Sequence, residues 1–347
     1  MKKTLLIFLI IANGSPLATD RAAFLRQGFG AKGKVLGKGF GSTVKDPSAL
    51  YFNPAGLAHI NGELKSVQKI NPAEEAEKAF DDPAFTELEN EENTEVKPNT
   101  ENKPAETIEK TFEIQLYATA GQMSLDQQVG FAAVGFTLPY GTMGVGALYS
   151  GVDGIDGFDE AGASTGATEY MGYAGYLGYA FETKSDLKLG FSLMGAQEDI
   201  GGSTLNAGSL NVGAQKTIFF ILLAEVGVNV QNLAGVTEQT TFNDSTYEKL
   251  DTIINVSLSL APPPPNANAK LIVGFDANVD DPEDGLSGSI GIALAVTRYS
   301  YIMAGYNNGG LAAGLGIKFK MIDVAYAVNR DSLGLGFQHF AELNLRF

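Results

Sequence analysis

Two histidines, His59 and His339, and no cysteine leave this chain of 347 residues with little equipment for covalent chemistry. Without cysteine there is no disulfide framework, no thiolate metal site, no cysteine nucleophile and no lipoprotein anchor. His59 follows the run Asn53-Pro54-Ala55-Gly56-Leu57-Ala58 so closely that it reads as a turn residue. No serine or acid pair has a partner base at a useful spacing, so the sequence gives no positive sign of an enzyme. Gly28-Phe29-Gly30-Ala31-Lys32-Gly33 matches the glycine pattern of dinucleotide sites. It lacks the preceding strand and the acidic residue about twenty positions on that such a site needs. Asp153, Asp156, Asp159 and Glu160 form one acidic cluster, and Asp280, Asp281, Glu283 and Asp284 another. Neither fits the ligand spacing of a calcium loop, and both read as solvated loops, so no metal and no cofactor is expected.

Charge divides the chain into three materials. The net charge is -16, which excludes a general affinity for nucleic acid. Residues 1–62 nevertheless hold 8 Lys/Arg against 2 Asp/Glu, residues 63–113 hold 6 against 15, and residues 114–347 hold 10 against 23. The front begins with Lys2 and Lys3, an apolar run Leu5–Ala12 and the breakers Asn13, Gly14, Ser15 and Pro16. That is the layout of a secretory signal, too short to span a bilayer, with cleavage after Gly14 or after Ala18 left open. The expected organisation is a signal over 1–18, a basic segment over 19–62, an acidic flexible insert over 63–111, and a strand-rich body over 112–347. The insert is packed with Glu, Asn, Pro and Lys and is nearly free of β-branched and aromatic residues, a composition that cannot build a core.

The body alternates with period two. Leu311, Ala313, Leu315, Ile317 and Phe319 share one face, as do Ile322, Val324, Tyr326 and Val328, and Leu271, Val273, Phe275, Ala277 and Val279. Between the last set lie Lys270, Gly274, Asp276 and Asn278, which suit a polar lumen rather than a packed core. Strands are predicted over 113–121, 128–138, 142–151, 167–181, 187–199, 206–216, 219–231, 251–261, 269–279, 286–297, 299–307, 310–318, 320–329 and 335–347. Loops 151–166, 232–250 and 280–285 fall on one side, and shorter turns with both chain ends on the other. Fourteen strands, unequal loops and an apolar outer face predict an all-β antiparallel transmembrane barrel, against the alternative of a secreted sandwich or propeller. A sandwich would carry charge on its second face, whereas here that face is Gly, Ala, Ser, Asn and Gln. The 42 glycines, about 12% of the chain where roughly 7% is usual, leave room in the wall for something inside.

The string from Gly33 to Ala58, with Gly37-Lys38-Gly39-Phe40-Gly41, Asp46-Pro47-Ser48-Ala49 and Asn53-Pro54-Ala55-Gly56-Leu57, resembles the N-terminal hatch of FadL-like outer-membrane proteins, nearest their PorV/PorQ branch. The resemblance resumes at Val230-Gln231-Asn232-Leu233, at Ala304-Gly305-Tyr306 and through Leu343-Asn344-Leu345-Arg346-Phe347. It implies a fourteen-stranded barrel with the hatch folded back into the lumen. The functions it implies are passive passage of hydrophobic or amphipathic small molecules or, as the alternative, a non-transport role beside a type IX-like secretion system, binding exported client proteins. Leu343, Leu345 and terminal Phe347 are similar to the signal read by the barrel-assembly machinery. The implied location is the outer membrane of a double-membraned bacterium, with both termini periplasmic and outer-membrane lipid as surroundings. A small solute would pass the hatch at Tyr51, Phe52, Asn53, Pro54, Ala55, Gly56 and Leu57. Lys34 and Lys38 on a basic hatch would be seated against lumen carboxylates Glu225, Asp276, Asp323 and Glu342, pairs less screened than surface ones.

Overall fold

The computed structural model describes residues 22–61, 112–158, 162, 164–201, 203–241, 244–263, 268–280, 286–307, 310–330 and 336–347. The expected signal sequence and the acidic stretch 63–111 lie outside the described residues. From Ile114 the chain is an antiparallel meander of β1 (Ile114–Gln122), β2 (Gln128–Leu138), β3 (Gly141–Phe158), β4 (Ser164–Glu182) and β5 (Leu187–Ile200). It continues through β6 (Ser203–Phe219), β7 (Leu223–Thr241), β8 (Asp244–Lys249), β9 (Ile253–Ala261) and β10 (Ala269–Asn278). The last strands are β11 (Leu286–Ala295), β12 (Ser300–Asn307), β13 (Gly310–Phe319), β14 (Ile322–Arg330) and β15 (Phe337–Arg346). β1 pairs with β15, from Gln115 opposite Arg346 to Gln122 opposite His339, so the sheet closes on itself. Fourteen strands form the ring, because β9 pairs with the first half of β7 while β8 lies only against its far end. The protein is therefore a closed antiparallel barrel of fourteen strands, and closure leaves no strand edge in the ring unpaired.

The alternation has a direct structural cause. In β13, Leu311, Leu315, Ile317 and Phe319 are exposed on the outer face while Ala312 is buried facing in. In β10, Leu271 and Phe275 are exposed and Ile272 is buried. No helix among the described residues is long and apolar enough to cross a membrane.

Three of the sequence boundaries need correction. Residues 151–166 and 232–250 are not simply loops, since β3 runs to Phe158, β4 starts at Ser164, and β7 runs to Thr241 before β8 turns back along it. Beyond the apolar band the side chains are Gly, Asp, Thr and Gln, so the pattern fades although backbone pairing continues. The turn after β6 falls at Phe220–Leu222 rather than at 217–218, with Thr217 opposite Glu225 and Ile218 opposite Ala224.

Residues 22–61 lie inside the ring. They form a helical turn Ala23–Arg26, a short helix α1 (Ala31–Leu36), a 3-10 stretch Gly37–Ser42, a single turn α2 (Ala49–Phe52) and a 3-10 stretch Pro54–Asn61. Glycine and proline cut these pieces short, and Gly28, Gly30 and Gly37 have φ of 67°, 76° and 57°, which glycine adopts at no steric cost. α1 packs on β11 to β15, the stretch 37–42 on β7 and β9 to β12, and the stretch 54–61 on β2 to β6. Val35, Val44, Leu50 and Leu57 are completely buried, so the core of the molecule is the interface between this segment and the wall.

Candidate functional site

The segment is seated differently on its two sides. Toward β7 to β15 ion pairs add to close backbone approaches at Gly274 and Gly305. Arg26 pairs with Asp251 at 2.9 Å, and Lys45 with Glu225 at 2.7 Å, where Lys270 of the wall joins at 2.9 Å. Lys38 pairs closely with Asp276. Lys32 bridges two strands, 2.9 Å from Asp323 of β14 and 2.9 Å from Glu342 of β15. Burial opposes charge on Lys32, but the Glu342 and Asp323 carboxylates outweigh it and hold the ammonium well above its usual range. Lys34, which the sequence reading sets against those carboxylates, instead donates to the Gln27 carbonyl at 2.7 Å and lies 4.9 Å from the centre of the Phe340 ring. The two lysines stand about 200° apart around a helix, so Lys32 is the one that reaches β14 and β15.

Toward β2 to β6 the contacts are apolar and close. Leu50 would collide at 2.5 Å with a Cβ on Gly178 of β4, and the Pro54 backbone occupies the place of a Cβ on Gly190 of β5. Glycine in the wall thus acts as a notch that admits the segment. Side-chain amides tie the middle down. Asn53 donates to the Gly41 carbonyl at 3.0 Å and to the Ala214 carbonyl at 3.3 Å, and its own oxygen accepts from the Ala55 N–H at 3.2 Å. Asn229 donates to the Phe52 carbonyl and Asn255 to the Lys38 carbonyl, each at 2.9 Å.

Residues 51–57 form the packed centre. The Tyr51 hydroxyl donates to the Leu25 carbonyl at 2.7 Å and accepts from the Gly28 N–H at 3.1 Å. Phe29 stacks on Phe131 at 4.3 Å between centroids and tilts against Tyr51 at 4.7 Å, while Phe40 meets Phe52 edge-on at 4.9 Å. Ala55 and Leu57 are completely buried, and a Cβ on Gly56 would stand 2.6 Å from the Val44 carbonyl oxygen. Tyr51 and Phe52 of this run border a cavity of about 110 Å³ between the segment and the wall of β7, β9, β10 and β12.

His59 lies at the other end of the segment, 3.1 Å from the Gln215 side-chain oxygen. Burial, together with the nearby Lys45 and Lys188 charges, pushes its imidazole down to about 3. Once unseated, the histidine binds a proton that the seated form refuses, so its contribution is complete above about pH 6.5 and falls as the pH drops toward 3. The expected weakening is at most about 1.4 kcal/mol per pH unit over that window. Proteolysis of the N-terminal segment should therefore speed up from pH 7 to pH 4.5, and His59→Gln should remove that part of the acceleration. Equal acceleration in both proteins would show that His59 does not contribute.

Leu343 and Leu345 lie on β15, and the exposed Phe347 closes the seam, with Ile114 and Phe347 exchanging backbone hydrogen bonds at 3.2 and 2.8 Å. The glycine run 28–33 leads into α1 without a preceding strand among the described residues. Asp153 and Asp156 fall on β3, and Asp280 receives Lys249 at 2.6 Å and the Thr252 N–H at 2.8 Å. The other acidic loop residues, Asp159, Glu160, Asp281, Glu283 and Asp284, lie outside the described residues, among which no set of three His, Asp or Glu is arranged to hold a metal ion. The sequence reading gives no seating role to Lys32, Arg26, Lys45, Asn229 or Asn255. The repeat Gly33, Gly37, Gly41, one glycine every four residues on one side of the segment, is the signal that marks the cavity wall.

No family model matches the chain, and no curated protein matches it. Among solved structures it is similar to a FadL homologue of Pseudomonas aeruginosa, at 10% identity over 92% of this chain and 98% of that one, with a TM-score of 0.50. That likeness is one of fold. The toluene transporter TodX of P. putida aligns at 10% identity over 68% of this chain and 88% of that one, with a TM-score of 0.41.

Proposed function

We propose that this protein is an outer-membrane channel for small hydrophobic or amphipathic molecules, with the segment 22–61 as its hatch. The observation that carries the reading is the two-sided seat. A lumen crossed by a segment held in glycine notches on both sides, and by ion pairs toward β7 to β15, is closed by an element that can be released without breaking the barrel. The apolar outer face supports setting the strands in lipid, with Leu343, Leu345 and Phe347 as the signal for the barrel-assembly machinery. Both termini then face the periplasm. A solute passing the hatch would meet both the polar lining of the cavity and the rings of Tyr51 and Phe52.

Native mass spectrometry of the barrel taken from its own outer membrane in mild detergent tests the reading. A small apolar or amphipathic ligand near one per chain supports it. An empty lumen with a stoichiometric protein partner would transfer the protein to the other role, a PorV-like receptor of secreted clients. In planar bilayers, Lys38→Glu sets two carboxylates face to face at Asp276 and should raise conductance; a conductance equal to wild type would count against the hatch as a gate.

A further inference from the structure

The barrel wall carries its charges unevenly from end to end. Of the 10 Lys/Arg in residues 114–347, only Lys249 and Arg330 lie at the long-loop end. All the others lie at the opposite end, within three residues of a turn or of Phe347. Two of these are set apart by their surroundings. Arg298, in the turn between β11 and β12, has its guanidinium 4.5 Å from the centre of the Tyr299 ring. Lys320, in the two-residue turn between β13 and β14, has its ammonium 5.5 Å from the centre of the Phe319 ring. The two rings lie 5.4 Å apart, and the Lys318 N–H donates to the Tyr299 carbonyl at 2.8 Å, which ties the two turns together. Both cations are exposed, and among the described residues neither enters an ion pair. Lys320 has a φ of 50°, a left-handed turn position that glycine or asparagine ordinarily fills, so the lysine is kept there at a backbone cost. From the rings the outward face continues along the strands as hydrocarbon, with Ile302, Leu315, Ile317 and Ile322 each about half exposed.

We infer that Arg298 and Lys320, set on Tyr299 and Phe319, form a binding site for the headgroup of an anionic phospholipid in the leaflet that meets this rim. A guanidinium presents paired N–H donors to a phosphate, and an ammonium adds a point charge beside it. The rings hold both cations at the border of the apolar face, where a headgroup and its chains part company. The chains then lie along Ile302, Leu315, Ile317 and Ile322. A free phosphate would find the charges but leave that face uncovered. A zwitterionic lipid would bring its own cation up to two others. The remaining cations of the rim draw anionic lipid toward it without choosing a place. This assignment rests on the strands standing in lipid and is independent of what passes the lumen.

The test titrates the full barrel in detergent with dioleoyl-phosphatidylglycerol, dioleoyl-phosphatidylcholine or inorganic phosphate, and reads occupancy by native mass spectrometry. Salt is kept at about 150 mM, where distant exposed charges are largely screened. Phosphatidylglycerol should bind at least about tenfold more tightly than phosphatidylcholine, and inorganic phosphate should not displace it. Arg298→Gln and Lys320→Gln should each weaken phosphatidylglycerol roughly fivefold. Lys184→Gln, which removes a charge of the same rim in the turn between β4 and β5, should leave it unchanged. Heat-modifiable gel mobility shows that each variant is a folded barrel, and if Lys320→Gln is not, Arg298→Gln decides. Equal binding of the two lipids, displacement by inorganic phosphate, or an equal loss in Lys184→Gln overturns the site. Flotation with vesicles of equimolar phosphatidylglycerol and phosphatidylcholine separates the two ways of failing. A barrel that does not float refutes its placement in lipid, and one that floats without the preference refutes the site alone.

Discussion

Lys32→Met should release the hatch more completely than any other single charge removal. The Lys32 side chain is 15% exposed, and its partners Asp323 and Glu342 are 17% and 1% exposed. Deleting the cation leaves two carboxylates buried side by side on β14 and β15, and losing one member of a buried pair costs about 3–5 kcal/mol. The barrel does not depend on the pair, because its strands are joined by their own backbone ladders. The loss should therefore fall on the hatch. Trypsin should cut within the segment in Lys32→Met while leaving the wild type intact, and conductance should rise. Adding Glu342→Gln should recover part of the loss, since the orphaned charge is then removed. A double variant no more resistant than the single one would show that the ion pair does not seat the hatch.

Gly305→Ala is the apolar counterpart. A Cβ on Gly305 of β12 would occupy the same place as the Val35 carbonyl oxygen of α1. The obstacle is backbone on both sides, so no side chain can swing away. The cost should exceed the roughly 1–3 kcal/mol of ordinary overpacking. The expected product is a barrel with normal heat-modifiable mobility and a displaced hatch, seen as protease sensitivity and raised conductance. Gly130→Ala is the matched control, since the nearest atom to its Cβ would be 3.5 Å away, and it should behave as wild type. Wild-type behaviour in Gly305→Ala would mean that α1 is not held against β12 in the membrane.

The ring is legible in the sequence where lipid-facing and lumen-facing positions differ in kind. Leu271, Val273 and Phe275 set against Gly274 and Asp276 give β10 its place to within a residue. The extensions of β3, β4 and β7 are not legible, because past the apolar band both faces are wet and nothing enforces a period. Carboxylates on the lumen face are readable one by one from strand parity, which is how Glu225, Asp276, Asp323 and Glu342 stand out. Their partners are not, because a short helix between glycines has no phase that the sequence alone reveals, and Lys32 and Lys34 look alike until α1 is turned. The cavity lies further still from view. It depends on Gly37 meeting Asn307, residues from opposite ends of the chain.

The seam between β1 and β15 also fixes an order of events. The Glu342 side chain on that seam accepts from the Lys32 backbone N–H at 3.2 Å, across 310 positions of sequence. Ile114 and Phe347, which complete the seam, are 233 positions apart in the chain. Contacts of such separation form late and slowly. Since the segment touches the wall from β2 round to β15, its full seat exists only once the ring is shut. The first part of the chain to be made must therefore wait, unfolded and basic, until the last strand arrives. Burial of the contents therefore cannot come before closure of the cylinder.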